Sequence, residues 1–418
     1  MSNTIPSDEK VVPSKYQAAI LDNYGIHNMI VQAVAGSGKS KTLEMLVTEK
    51  NGRMHRACLL AFNKPIATVL KNRGLPAYTF NGLGFGVTNY SFRGSVLNAD
   101  KVADCTKRRM TPHDMKLMGA AVLNLVAKSY TIGLVPDHRL LNTKGLVAVT
   151  REQPQVWQDL IETYDIDTMS PEGEDLTDTI IDFSRNILAE CLADTRTLSF
   201  DDQISFPVLY NLPMKPYDHL LVDEAQDTNL IQIAFLRKAL GRNGVFTAVG
   251  DRNQSLYKFR GAASDAMDRI KREFKCVEYP LSICYRCPQV VIRAAQQFVP
   301  QIEAAPGKPE GVMQHLPKFG PKTFRTGDVI VSRKNADLVS LAYKLMAARI
   351  PCGILGRDMV GGLITLMEKI EANYMAQRRT ENQISFLIES LESWRDREIE
   401  KAKIKDNESK IQATTYNF

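Results

Sequence analysis

Short apolar runs alternating with helix-patterned polar stretches organise this chain. Met29-Ile30-Val31, Ala57-Cys58-Leu59-Leu60-Ala61-Phe62, Leu220-Leu221-Val222 and Val245-Phe246-Thr247-Ala248-Val249 read as compact buried strands. Residues 42–47, behind the first run, read as helical, and Pro13-Ser14 before it offers an N-cap for a short helix from Lys15. Ala77-Tyr78-Thr79-Phe80-Asn81-Gly82-Leu83-Gly84 sets an aromatic beside Asn and Gly at a turn. From about residue 89 to 197 the pattern is helical, with stretches at 115–129, 157–164 and 176–192, and reads as an inserted helical subdomain. Farther on, 328–335 reads as a strand with a basic end, 338–346 as a helix, and 354–358 as the lead into another. Residues 1–12 are polar and expected to be loose, and from 373 the chain is strongly charged, with Ile384, Leu387, Ile388 and Leu391 at helical spacing as a packing stripe.

The run ending at Val31 leads into Ala33-Val34-Ala35-Gly36-Ser37-Gly38-Lys39-Ser40, which reads as a phosphate-binding loop. A strand that turns through small residues into a helix aims several backbone N–H groups at one point, where an anion also meets the positive end of the helix dipole. Gly36 and Gly38 let the backbone approach, Lys39 reaches the outer phosphates, and the Ser40 hydroxyl suits Mg²⁺. The pattern usually opens with Gly; Ala33 is tolerable there if its φ is negative. Far downstream, Asp223-Glu224 ends the third apolar run. A phosphate loop needs such a partner, with Asp223 on the Mg²⁺ and Glu224 orienting or deprotonating the attacking water.

Other polar groups gather near the same runs. The Gln17 amide can both donate and accept, which suits adenine, although a surface Gln is the plainer reading. Phe62 with Asn63 and Lys64, and Phe80 with Asn81, put rings beside amide and basic groups, as single-stranded nucleic acid requires, yet both rings equally suit a core. After the fourth run, Gln254 could sense a γ-phosphate, while Tyr257, Phe259 and Arg260 offer two rings and a cation for bases and backbone. Lys107-Arg108-Arg109 suits either phosphates or a solvated face.

Composition narrows the class. A chain of 418 residues, 44% hydrophobic and 24% charged, has room for two or three domains, and its net charge of +6 is compatible with a polyanionic partner. Seven scattered cysteines make no disulfide framework, and the N-terminus has no apolar signal segment, so a reducing, cytoplasmic setting is expected. Cys284 and Cys287 have metal-knuckle spacing but no second such pair exists, so zinc is not expected. No apolar run is long enough for a membrane span.

Taken in order, these motifs resemble those of superfamily 1 helicases of the UvrD/Rep/PcrA type. Gln17, the segment 33–40, Ala61-Phe62-Asn63-Lys64, the box Asp223-Glu224-Ala225-Gln226-Asp227 and the box 250–262 follow the family's sequence of motifs, and the resemblance spans about 13–360. Ser40 stands for Thr, Asn81 where His is frequent, Phe259 where Trp is frequent, and the ring at Phe62 comes one residue later than the family's. Leu281-Ser282-Ile283-Cys284-Tyr285-Arg286-Cys287 is similar to the family's Leu-x-x-Asn-Tyr-Arg-Ser, which implies that Tyr285 stacks on adenine and Arg286 reaches the γ-phosphate.

The implied fold is α/β: a P-loop NTPase (RecA-like) parallel-sheet domain from 1–88 and 198–280, a helical insertion at 89–197, a partial second RecA-like domain at 281–372, and a charged helical segment at 373–418 that starts a 2B-like insertion. The implied activity is an ATP-dependent DNA helicase or translocase on single-stranded DNA, moving 3′ to 5′. Its cofactors would be ATP and Mg²⁺, with Ala35, Gly36, Ser37, Gly38, Lys39, Ser40, Lys41, Gln17 and Tyr285 around the nucleotide. Lys39, Asp223, Glu224, Gln254 and Arg286 would be catalytic, Ser40 and Asp223 would hold the metal, and Phe62, Asn63, Lys64, Phe80, Asn81, Tyr257, Phe259 and Arg260 would contact DNA. Single strands, or duplex with a single-stranded tail, replication or repair proteins, or a missing C-terminal half would be partners. The family's last Gly-rich and Arg-bearing motifs are not in this sequence, so it is expected to bind ATP·Mg²⁺ but hydrolyse it poorly. The alternative is a truncated or split member, an ATP- and single-strand-binding module without full motor activity. Either way, Lys39 and Asp223 should converge at the edge of one parallel sheet.

Overall fold

The computed structural model describes residues 12–353 apart from 50–55, 63, 137–145, 171, 255–264, 317–318, 321–322 and 333–334. The first apolar run is strand β1 (Met29–Ala33), entered from helix α1 (Lys15–Asn23) and left into α2 (Lys39–Glu49). Ser14 caps α1 in a reciprocal arrangement with Gln17, each side chain taking a hydrogen bond from the other's backbone N–H. Next come β2 (Ala57–Ala61), α3 (Lys64–Asn72), β3 (Ala77–Thr79) and α4 (Phe80–Ser91). The expected turn at Phe80-Asn81-Gly82 is instead the first turn of α4, because the Thr79 hydroxyl accepts from the Gly82 N–H and caps it.

A helical layer follows, built of β4 (Val96–Leu97), α5 (Lys101–Arg109), α6 (Pro112–Thr131), β5 (Leu134–Val135), β6 (Thr150–Arg151), α7 (Pro154–Thr163), α8 (Thr177–Ala193), β7 (Thr197–Leu198) and α9 (Phe200–Leu209). Thr111 and Asp114 form a capping box around Pro112, which fixes the start of α6. The layer has its own core, in which Leu125, Tyr130, Trp157 and Ile187 meet Phe206 of α9. One buried polar knot ties its entry to its exit. Lys101 Nζ donates to Asp202 Oδ2 (2.7 Å) and to the Asp194 carbonyl (2.7 Å), and the Tyr130 hydroxyl donates to Asp202 Oδ1 (2.9 Å). Within Lys107-Arg108-Arg109, Arg108 and Arg109 both pair with Glu190 on the surface of this layer.

The chain re-enters the sheet at β8 (Tyr217–Val222), crosses α10 (Leu230–Ala239) into β9 (Leu240–Gly250), and passes α11 (Ala266–Glu273) to β10 (Val277–Leu281). These strands order as β10-β1-β9-β8-β2-β3, and every neighbouring pair is parallel. Parallel sheets are covered on both faces, which is why the strands read as continuous apolar runs. Met29, Val31, Leu59 and Leu221 pack with Ile20 of α1 and Leu43 and Leu46 of α2. Ile30, Leu60, Leu220 and Phe246, pointing the other way, pack with Leu236 of α10 and Ile270 of α11.

After β10 come β11 (Ile283–Cys284), α12 (Gln289–Ala295) and β12 (Glu303–Ala304), the last pairing parallel with β11. The first compact unit therefore continues past residue 281 and ends at Met313. In the second unit, Gln314–Phe418, the described residues 328–332 form no strand, contrary to the pattern reading, and Val329 and Val331 are exposed. Helix α13 (Asn335–Ala347) covers the expected 338–346. The expected elements at 354–358 and 373–418 lie outside the described residues, as does the N-terminal stretch before Val12.

Candidate active site

Because the six strands are parallel, their carboxyl ends share one edge of the sheet, and in open α/β sheets ligands collect there. The phosphate loop follows β1, Phe62 follows β2, Asn81 follows β3, Asp223 follows β8 and Asp251 follows β9, while beyond β10 Tyr285 follows the short β11. Register holds the loop to its neighbours, since Ala33 pairs with Leu281, Gln32 with Gly250, and the Val34 N–H donates to the Leu281 carbonyl (3.0 Å). Gly36 (φ +69°) and Gly38 (φ +83°) adopt the left-handed conformation that favours glycine, whereas Ala33 stays in the strand with negative φ. Gly36 is also required sterically: a Cβ there would lie 2.7 Å from the Arg286 Cβ.

The acidic pair meets this loop. Lys39 Nζ and Glu224 Oε2 form a close ion pair, and the Ser40 hydroxyl lies 3.4 Å from Asp223 Oδ2. Burial first, and then the charge of Glu224, push Asp223 and Asp227 each up to about 6. Glu224 itself sits at φ 51°, ψ 46°, a conformation that costs a non-glycine residue roughly 1 kcal/mol and that recurs at functional sites.

Gln226 connects the pair to the next strand end. Its amide donates to Glu224 Oε2 (2.9 Å) and Asp227 Oδ2 (3.2 Å), and its carbonyl accepts from the Asp251 N–H (3.0 Å). Asp251 in turn accepts from the Gln254 amide (2.6 Å), so Lys39, Glu224, Gln226, Asp251 and Gln254 form one hydrogen-bonded chain. Gly250 makes room for it, since a Cβ there would lie 2.6 Å from Gln226 Oε1.

On the other side of the loop the Tyr285 N–H donates to the Gly36 carbonyl (2.8 Å), and Tyr285 is 40% exposed, leaving a ring face open. Gln17 is buried; besides its capping role, its amide donates to the Thr42 hydroxyl (3.1 Å). A Cβ on Gly38 would lie 3.7 Å from Gln17 Nε2 and 4.0 Å from Tyr285 Cδ2, so both flank the loop.

The family model of the UvrD/REP helicase N-terminal domain matches residues 123–275, which takes in both the acidic box and the Gly250 strand end. Over those residues the chain is similar to the UvrD/REP helicases. It is 25% identical over 298 residues to the ATP-dependent DNA helicase Rep of Escherichia coli, covering 65% of this chain and 41% of that protein. To the probable DNA helicase II homolog of Mycoplasma genitalium it is 31% identical over 171 residues, 40% of this chain and 22% of that one. It is 32% identical over 124 residues to the ATP-dependent DNA helicase UvrD1 of Mycobacterium bovis, 26% and 16% of the two. The matches thus span less than half the length of these relatives.

The donors present suit the group that such a site implies. Ser40 Oγ and the Asp223 carboxylate are hard oxygen ligands of the kind Mg²⁺ takes. Ser37 Oγ and Asp227 Oδ1 are buried with no hydrogen-bond partner among the described residues, as expected where a polar ligand fits. The sequence reading missed Gln226, Asp227 and Asp251. The pattern marks the box that contains the first two, but on its own it points only to the leading acids, Asp223 and Glu224.

The candidate DNA contacts divide. Phe80 is a correction: it is 5% exposed and packs edge-on against Phe235, so its ring is enclosed in the core and cannot stack on a base. Asn81 is half-buried and donates to the Phe200 carbonyl (2.7 Å), Phe62 is half-buried at the end of β2, and Lys64 is exposed at the start of α3. Asn63, Tyr257, Phe259 and Arg260 lie outside the described residues.

Proposed function

We propose that this chain binds ATP·Mg²⁺ at the β1 loop and works as the nucleotide-driven part of a DNA helicase that travels 3′ to 5′ on single strand. The observation that carries the reading is the meeting of Lys39 with Glu224 and of Ser40 with Asp223 at one strand edge. Lys39 would neutralise the β- and γ-phosphates, Ser40 and Asp223 would hold Mg²⁺, and Gln17 and Tyr285 would take the base. Bound Mg²⁺ would offset the phosphate charge. Phosphate drawing Lys39 to itself would release the Glu224 carboxylate from its ion pair, free to orient water. Gln254 would report the γ-phosphate through Asp251 and Gln226, and Arg286 would face the charge that develops on it. The names of the relatives support DNA as substrate, and Phe62, Asn63, Lys64, Asn81, Tyr257, Phe259 and Arg260 are the proposed contacts. The division at 1–88 and 198–280, 89–197, 281–372 and 373–418 is proposed with them, as is a soluble, cytoplasmic setting; among the described residues no helix is long and apolar enough to cross a membrane.

The test is ATP consumption with and without single-stranded DNA, alongside nucleotide affinity. Stimulated turnover supports the motor. Affinity with no stimulated turnover assigns the chain to the ATP- and single-strand-binding module instead, and loss of both defeats the nucleotide reading.

A further inference from the structure

Cys284 and Cys287 have no part in the chemistry above, yet they bracket Tyr285 and Arg286 at the phosphate loop. Cys284 is fully buried in a small apolar cluster with Val34, Ile292 and Ile302, and the half-buried Cys287 packs against that cluster. The backbone bends through residues 285–287, and both cysteines pack on the same apolar cluster. On its other side the Cys284 sulfur touches the loop, 3.0 Å from where a Cβ on Gly36 would stand.

We propose that Cys284 and Cys287 are a dithiol that a peroxide closes into a disulfide, and that closure weakens nucleotide binding; the second half rests on the nucleotide reading above. Cys287, the more exposed, meets the oxidant first. Its sulfur attacks one peroxide oxygen, the O–O bond breaks, water leaves, and a sulfenic acid remains. The Cys284 sulfur then attacks the Cys287 sulfur, the S–O bond breaks, and a second water departs with the Cys284 proton. A disulfide needs its two Cβ atoms about 3.8 Å apart at a fixed dihedral. Meeting that demand over a four-residue ring must turn the backbone at Tyr285 and Arg286, and Arg286 has no slack because its Cβ already lies against Gly36.

The experiment treats the full chain with hydrogen peroxide, maps linkages by tandem mass spectrometry without reduction, and measures affinity for Mg·ATP before treatment, after it, and after dithiothreitol. A Cys284–Cys287 linkage with at least a five-fold weaker affinity, restored by reduction, is expected. Cys287→Ser and Cys287→Ala should bind as the reduced protein does and ignore peroxide. Absence of the linkage overturns the inference, and so does a linked protein with unchanged affinity. If the reduced protein binds no nucleotide, the nucleotide reading fails, and the linkage map alone then decides whether the thiols pair.

Discussion

Lys39 and Glu224, 185 residues apart in the chain, form an ion pair that closes the phosphate loop onto the acidic strand end. Each is the other's counter-charge until a polyanion arrives. Lys39→Ala should therefore weaken Mg·ATP binding by roughly 10- to 100-fold, the ~1.5–3 kcal/mol of a charged hydrogen bond, with the melting temperature nearly unchanged. Titration calorimetry beside a thermal melt checks both halves, and wild-type affinity in the variant would refute the site.

Asp227 supplies a pH prediction. Its pKa of about 6 stands above the usual 3.8, because burial and Glu224 disfavour its charge. The folded protein then holds the proton more tightly than the unfolded chain, so stability present below about pH 4 is lost as pH rises towards 6. Asp227→Asn removes that loss. In urea titrations without nucleotide, the variant should match the wild type at pH 4 and exceed it by on the order of 1 kcal/mol at pH 7.5. A variant less stable at both pH values would contradict this.

Helices α4 and α9 touch through Gly84. A Cβ there would lie 1.9 Å from the Gln203 carbonyl oxygen, which is main chain and cannot swing aside. Gly84→Ala should cost about 3 kcal/mol, at the upper end for overpacking, and its urea midpoint should fall accordingly. Gly86→Ala, where no atom stands within 4 Å, is the control and should be neutral or slightly stabilising.

The buried Lys101–Asp202 pair predicts strong coupling. Removing one partner leaves an uncompensated charge, so Lys101→Met and Asp202→Leu should each cost about 3–5 kcal/mol. The double variant should recover much of that. Strictly additive losses in a double-mutant cycle would argue against the pair.

Much of the sheet and half of the site were legible because both rest on local signals. A strand buried on two faces must be apolar throughout, so Met29-Ile30-Val31 and Leu220-Leu221-Val222 announced themselves. Gly36, Gly38 and Lys39 are visible because a phosphate cradle leaves few alternatives to those residue types. Gln226 was not, since an amide becomes a bridge only when Glu224 on one side and Asp251 on the other are both within reach. Phe80 illustrates the opposite failure. An aromatic beside Asn and Gly looks the same whether it faces a base or Phe235, and only the cap at Thr79 decides which. Residues 328–332 misled because β-branched composition does not provide a neighbouring strand.

Strand β1 lies hydrogen-bonded between β9 and β10, both encoded far downstream of it. During synthesis the phosphate loop leaves the ribosome ahead of both, and roughly 200 more residues must follow before either neighbour exists. At translation rates of about 5–20 residues per second that is on the order of 10–40 s, during which nascent β1 exposes an unpaired apolar edge to whatever chaperone stands nearest.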